Sequence, residues 1–254
     1  MRNNFPQSDR ARPLRLIPIL LFALLSALNR LPAQQAGTGS VENVAATGTA
    51  KVWGKVDNVE IEGLVQGPST AATPLQIACV FEYTEDDIFR SPPALPEKIN
   101  GMVHLDRALN GLITDLRKGG RFTGHSYETL LITPPQGVLP AQKLLLIGLG
   151  DRTRFNPDLM IGIGNVACRE ALRLGVTSFA FGSDLKDAGI DSPTALVSGN
   201  VVRGIFQAYR TEEYLETRNM SIHQPLAKVT LLAGPAFFTA AGDGIKDAIA
   251  ALNK

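Results

Sequence analysis

The chain has 254 residues, 44% of them hydrophobic, 19% charged and 6% aromatic, with two cysteines and a formal net charge of +1. These proportions are those of an ordinary globular protein and exclude a disordered chain, a collagen-like fibre and a disulfide-stapled miniprotein. One sizeable core fits this length, whereas a large two-domain enzyme would be cramped.

The first 33 residues stand apart in charge. Arg2, Arg10, Arg12, Arg15 and Arg30 face only Asp9 there, and the remainder carries 20 basic against 23 acidic side chains. Affinity for phosphate backbones needs clustered Lys and Arg, so nucleic acid is not an expected partner. Residues 16–28 (LIPILLFALLSAL) form an apolar run behind the arginines, and Pro32-Ala33 precedes Gln34. That is the layout of a secretory signal, with cleavage expected after Ala33. Thirteen helical residues span about 20 Å, short of the roughly 30 Å hydrocarbon core, so membrane contact is expected only if this segment stays uncleaved. The expected location is outside the cytoplasm, periplasmic or secreted. In an oxidising compartment Cys79 and Cys168 can pair if their Cα atoms come within about 7 Å; the alternative is two small buried hydrophobes.

Residues 34–55 are rich in Ala, Gly, Thr and Ser without hydrophobic period and read as a flexible lead, with order beginning near Val56. Residues 75–83 (LQIACVFEY) alternate Leu75, Ile77, Cys79, Phe81 and Tyr83, the period of a strand with one buried face. Pro92, Pro93 and Pro96 break the chain. Leu105, Leu109, Leu112, Ile113 and Leu116 share one helical face up to Gly119-Gly120. Residues 127–133 and 143–147 read as strands, the second apolar enough to be buried on both faces. Asn156-Pro157 opens a helix that Gly175 stops. A strand at 176–181 follows. Ser192-Pro193 opens a helix with Leu196, Gly199, Val202, Phe206 and Tyr209 on one face. A strand at 226–232 and a last helix, with Ile245, Ala248, Ile249 and Leu252 inward, complete the pattern. This alternation predicts a three-layer α/β domain around a mixed, mostly parallel sheet flanked by helices.

Gly162-Ile163-Gly164-Asn165-Val166-Ala167 matches G-x-G-x-x-A, but Pro157 starts the helix before it. These glycines are therefore expected to permit close helix packing rather than cradle a phosphate. Gly148, Leu149, Gly150 and Asp151 lie better, directly between a buried strand and the next helix, where α/β sheets bind ligands. Gly124-His125-Ser126 lacks the strand-turn-helix setting of a nucleophile elbow, so Ser126 reads as a turn residue. His104, His125 and His223 are too scattered for a metal motif. The acidic runs Glu85-Asp86-Asp87 and Glu212-Glu213 read as solvated faces. No catalytic residue, metal ligand or cofactor is assigned.

Leu105-Asp106 with Gly111, the Gly119-Gly120-Arg121-Phe122-Thr123-Gly124 segment with Glu128, the Lys143 to Gly150 strand, and Gly204 with Tyr209 and Tyr214 together resemble the N-terminal domain of the leucyl aminopeptidase family. The resemblance implies a macrodomain-like α/β fold, in a domain that is not catalytic. The family's metal-binding and catalytic residues belong to a larger C-terminal domain, and nothing here resembles its N-T-D-A-E-G-R segment. The expected organisation is a signal at 1–33, a lead at 34–55, the domain at 56–236, and a helix at 237–254 resembling the linker to a catalytic domain. The expected function is a non-catalytic exported module acting by protein or small-ligand binding. Two alternatives stay open: half of a split metalloaminopeptidase whose catalytic chain docks here, and a macrodomain-like binder of ADP-ribose or a related nucleotide at Gly148 to Asp151; the expected protein partner is that catalytic chain or a second copy of this one.

Overall fold

The computed structural model describes residues 44–84, 89–90 and 92–254. The signal-like segment, the lead as far as residue 43, and Glu85-Asp86-Asp87 lie outside the described residues. No helix among those described is long and apolar enough to cross a membrane.

Strands β1 (Ala50–Val56) and β2 (Val59–Val65) form an antiparallel hairpin. Its two-residue loop is Asp57 at φ 48° and Asn58 at φ 66°, left-handed conformations that short polar side chains tolerate and that match the twist of the flanking strands. β2 buries Val59, Ile61, Gly63 and Val65 on alternate positions. β1 lies within the stretch read as a flexible lead, and its order has a tertiary cause. The indole of Trp53 rests on Gly63 and Gly242, where any side chain would collide with it, and packs 5.5 Å from the Phe238 ring. Most of β1 is an exposed edge strand, so its sequence shows no hydrophobic period.

Five further strands complete one sheet: β3 (Leu75–Phe81), β4 (Thr129–Ile132), β5 (Lys143–Gly150), β6 (Ser178–Gly182) and β7 (Lys228–Ala233). Their order is β1-β2-β7-β6-β3-β5-β4, with β2, β7, β6, β3 and β5 parallel and antiparallel strands at both edges. Central strands are covered on both faces. All seven residues of β3 are therefore buried, not only the alternate set its pattern suggests, and β5 is buried from Leu144 onward.

The single helix expected over 105–116 is two: α1 (Gly101–Ala108) and α2 (Leu112–Lys118). Asn110 at φ 56° and Gly111 at φ 84° break it, and Leu112 turns partly to solvent. The buried carboxylate of Asp106 closes the break. It accepts from the N–H groups of Ile113 (2.9 Å) and Thr114 (3.2 Å) and from the Thr114 hydroxyl (2.6 Å).

Helices α3 (Leu159–Arg173), α4 (Thr194–Thr217) and α5 (Phe238–Leu252) pack side by side, α3 on α4 and α4 on α5. Gly175 at φ 66° ends α3, with Val176 N–H on the Ala171 carbonyl and Gly175 N–H on that of Leu172. Close backbone approach sets the spacing of the row. A Cβ on Gly164 would stand 2.3 Å from the Val201 carbonyl oxygen, one on Gly204 1.9 Å from that of Ile161, and one on Gly244 1.8 Å from that of Ala195. Gly199, Val202, Phe206 and Tyr209 of α4 are buried as expected, but Leu196 is exposed, while Ala195 and Val197 beside it carry the contacts of the first turn. α5 also packs on β1 and β2 through Phe238 and Ile249. Arg210 of α4 joins these parts, pairing with both oxygens of Asp57 (2.6 and 3.1 Å) and donating to the Leu252 carbonyl (2.9 Å).

Candidate functional site

The parallel strands all end on one side of the sheet, and there the loops after β2, β6 and β7 leave a cleft of about 310 Å3. Open α/β sheets place ligands at this edge because strand ends diverge and helix N-termini point inward. Val65, Phe181, Leu231, Val197, Val201 and Phe237 supply apolar walls. The starts of α1, α4 and α5, at Gly101, Thr194 and Phe237, reach the rim.

Two carboxyls from the loop after β6 line this cleft, Asp184 and Asp187. Asp184 Oδ2 accepts from the Cys79 N–H of β3 (3.0 Å), and Gly182 leaves the space into which this side chain folds back. Asp187 Oδ2 accepts from Met102 N–H (3.2 Å) at the start of α1, where Gly101 makes the approach possible. Burial raises the Asp184 carboxyl well above the usual range, and the neighbouring Asp187 adds to it. Burial likewise pushes Asp187 up to about 6 against the opposing effect of the α1 N–H groups and His104. Lys186 does not neutralise the pair: its Nζ donates to the Ser192 carbonyl (2.8 Å) and stands 3.6 Å from Asp191.

Gly148, Leu149, Gly150 and Asp151, read from sequence as a ligand loop, sit at the end of β5, where all but Gly148 line an open hollow of about 720 Å3 with Ser126, Tyr127 and Arg154. Their backbone is engaged by the chain itself. Gly148 N–H donates to Glu128, Gly150 N–H to Gly124, and the Gly148 and Gly150 carbonyls accept from Tyr127 and Glu82. A Cβ on Gly148 would lie 2.0 Å from the His125 carbonyl oxygen, so these glycines admit the 124–128 segment. Asp151 turns outward and accepts from Thr153 N–H (2.8 Å). Ser126 is a turn residue whose hydroxyl donates to Leu149 (3.3 Å).

Cys79 in β3 and Cys168 in α3 are both buried free thiols. Burial raises both, Cys168 to about 12, so neither is a reactive thiolate at neutral pH. Among the described residues no group of three or more His, Cys, Asp or Glu is placed to hold a metal ion, so these residues do not fit a two-metal centre. Asp184 and Asp187 are the residues that sequence reasoning missed. The sequence offered only two acids three apart shortly beyond the strand read at 176–181, which is no motif.

Residues 91–213 match the family described as cytosol aminopeptidase family, N-terminal domain. Residues 91–213 are thus similar to the N-terminal domain of the leucyl aminopeptidase family. A probable cytosol aminopeptidase of Roseiflexus castenholzii is 30% identical over 128 residues, which are 50% of this chain and 26% of that protein. The chain thus spans about a quarter of the length of the curated relatives it matches. Among solved structures, a mutant of tomato leucine aminopeptidase aligns at a TM-score of 0.53 and 21% identity over 77% of this chain and 36% of that one. The Oceanobacillus iheyensis macrodomain with MES bound aligns at 0.50 and 14% identity, over 80% of this chain and 98% of that one. The fold is macrodomain-like.

The residues that carry the family likeness are scaffold. Asp106 caps α2, Gly111 makes the break before it, Phe122 is buried, and Gly204 lets α3 and α4 meet. Glu128 organises the 123–125 turn, accepting from the N–H groups of Thr123 (3.1 Å), Gly124 (2.7 Å) and His125 (3.0 Å). Tyr209 is buried against Phe206 and His223, while Tyr214 is exposed.

Proposed function

We propose that this chain is a non-catalytic exported module of the leucyl aminopeptidase N-terminal type that binds a small ligand in the cleft at the ends of β2, β6 and β7. The observation that carries the reading is the half-open, largely apolar cleft lined by two partly buried carboxyls. It is built for recognition: apolar walls for contact and few polar groups for orientation. Export rests on the arginine-led apolar segment within residues 1–33.

The second reading keeps the activity of the family and gives the catalytic half to another chain docked on this one. The likeness to N-terminal domains of longer aminopeptidases favours it. Binding of ADP-ribose at Gly148 to Asp151 ranks third, because the Gly148 and Gly150 N–H groups there are spent within the protein.

Hydrolysis of leucyl-p-nitroanilide by residues 34–254, with zinc and then manganese, is the test, together with native mass. The expected result is a rate equal to the metal-only blank and a monomer. Hydrolysis above the blank would sink the non-catalytic reading, and a catalytic aminopeptidase chain co-eluting with this one would move the second reading to first place.

A further inference from the structure

We propose that the cleft takes an organic ammonium ion with an apolar body, its charged head seated on Asp184 and Asp187. This deepens the ligand-binding reading and rests on it. The acids of the cleft face few available cations. Asp184 comes off the end of β6 and Asp187 lies one turn further, against the start of α1, whereas Lys98 is exposed at the mouth. Lys186 is held by Ser192, Asp191 and the Phe237 ring, leaving His104 of α1 as the remaining basic neighbour of Asp187. Among the described residues the two carboxyls are thus left without a lysine or arginine paired to them.

Asp184 has acceptor capacity to spare. Its Oδ2 takes the Cys79 N–H, and Oδ1 has no hydrogen-bond partner among the described residues. Two neighbouring, partly buried carboxyls repel when ionised, and a cation between them relieves that repulsion while replacing the lost water. An ammonium head supplies up to three donors to these oxygens, and Phe181, Leu231, Val197 and Val201 meet an apolar tail. A phosphate or carboxylate head would instead face two acids.

Calorimetric titration of the full chain at pH 7.5 with phenethylamine, 2-phenylethanol and phenylacetate tests the charge with the body nearly constant. Phenethylamine is expected to bind at least tenfold more tightly than 2-phenylethanol, and phenylacetate more weakly than either. Asp184→Asn and Asp187→Asn, which keep an oxygen for the Cys79 and Met102 N–H groups, are each expected to weaken phenethylamine at least fivefold and leave 2-phenylethanol within twofold. Thermal midpoints report whether these variants fold; if they do not, the ranking of the three probes on the unaltered chain decides alone. Binding of 2-phenylethanol or phenylacetate without preference for the amine overturns the ammonium assignment and leaves the cleft as a site. Absence of heat with all three removes the assignment and the cleft reading together.

Discussion

Glu128 shows how a single side chain can carry both a family likeness and a stability term without touching any chemistry. Its carboxylate gathers three consecutive backbone donors, which without it would have only each other as neighbours. Charge-assisted bonds of this kind contribute more than neutral ones, so Glu128→Ala is expected to cost about 2 kcal/mol, read as a lower denaturation midpoint in urea. Asp187 acts in the opposite sense. Its carboxyl titrates near 6 in the folded chain, above the ordinary 3.8, so the folded state binds protons more tightly than the unfolded state between those values. Stability is therefore expected to rise as pH falls from 7 to 5, by on the order of 1 to 2 kcal/mol once the water reaching the cleft is allowed for. Asp187→Asn should flatten that slope relative to the unaltered chain in urea titrations at the two pH values. Of these residues, Glu128 was marked in the sequence by its place after Gly124, whereas Asp184 and Asp187 carried no motif; only the closing of the loop after β6 over the sheet edge brings them together.

At the scale of elements, the α3–α4 crossing depends on backbone proximity that a sequence pattern reads ambiguously. Gly162, Gly164 and the alanine after them look like a phosphate loop, yet Gly164 faces Val201 and Gly162 faces the Tyr127 ring. Alanine favours helices over glycine by about 1 kcal/mol. Gly204→Ala nevertheless is expected to destabilise by about 2 kcal/mol or more, because its new methyl would meet the Ile161 carbonyl and the helices cannot part without opening the core. A gain in thermal midpoint would contradict that close packing. The 101–118 segment gives a complementary lesson. Leu105, Leu109 and Ile113 are buried in helical register, but Asn110 and Gly111 adopt left-handed backbone and Asp106 caps the second piece, so one apolar stripe spans two helices.

For the whole molecule, the sheet is closed at one edge by β1, and the sole tryptophan, Trp53, stands where β1, β2 and α5 meet. Its fluorescence thus reports the docking of the first strand and last helix at once. Equilibrium unfolding followed by Trp53 fluorescence and by far-ultraviolet circular dichroism is expected to give coincident transitions, the behaviour of one cooperative unit. An earlier fluorescence transition would show that the hairpin and α5 come away from a smaller core. The cleft belongs to this same scale, since its walls come from loops after β2, β6 and β7, far apart in the chain.

Hydrophobic period and helix-stop residues were enough, by themselves, to determine the α/β alternation, the buried strand at 143–147, the helix ending at Gly175 and the packing role of Gly164. Each is a local consequence of side-chain polarity or of backbone freedom at one position. The tertiary structure alone decided that β1 is ordered, that β3 is buried on both faces, and that the glycines of 148–150 admit neighbouring backbone. It also decided that two aspartates line one cleft. These features arise where distant segments meet, through sheet pairing, steric room and desolvation, none of which is a property of any one stretch of sequence.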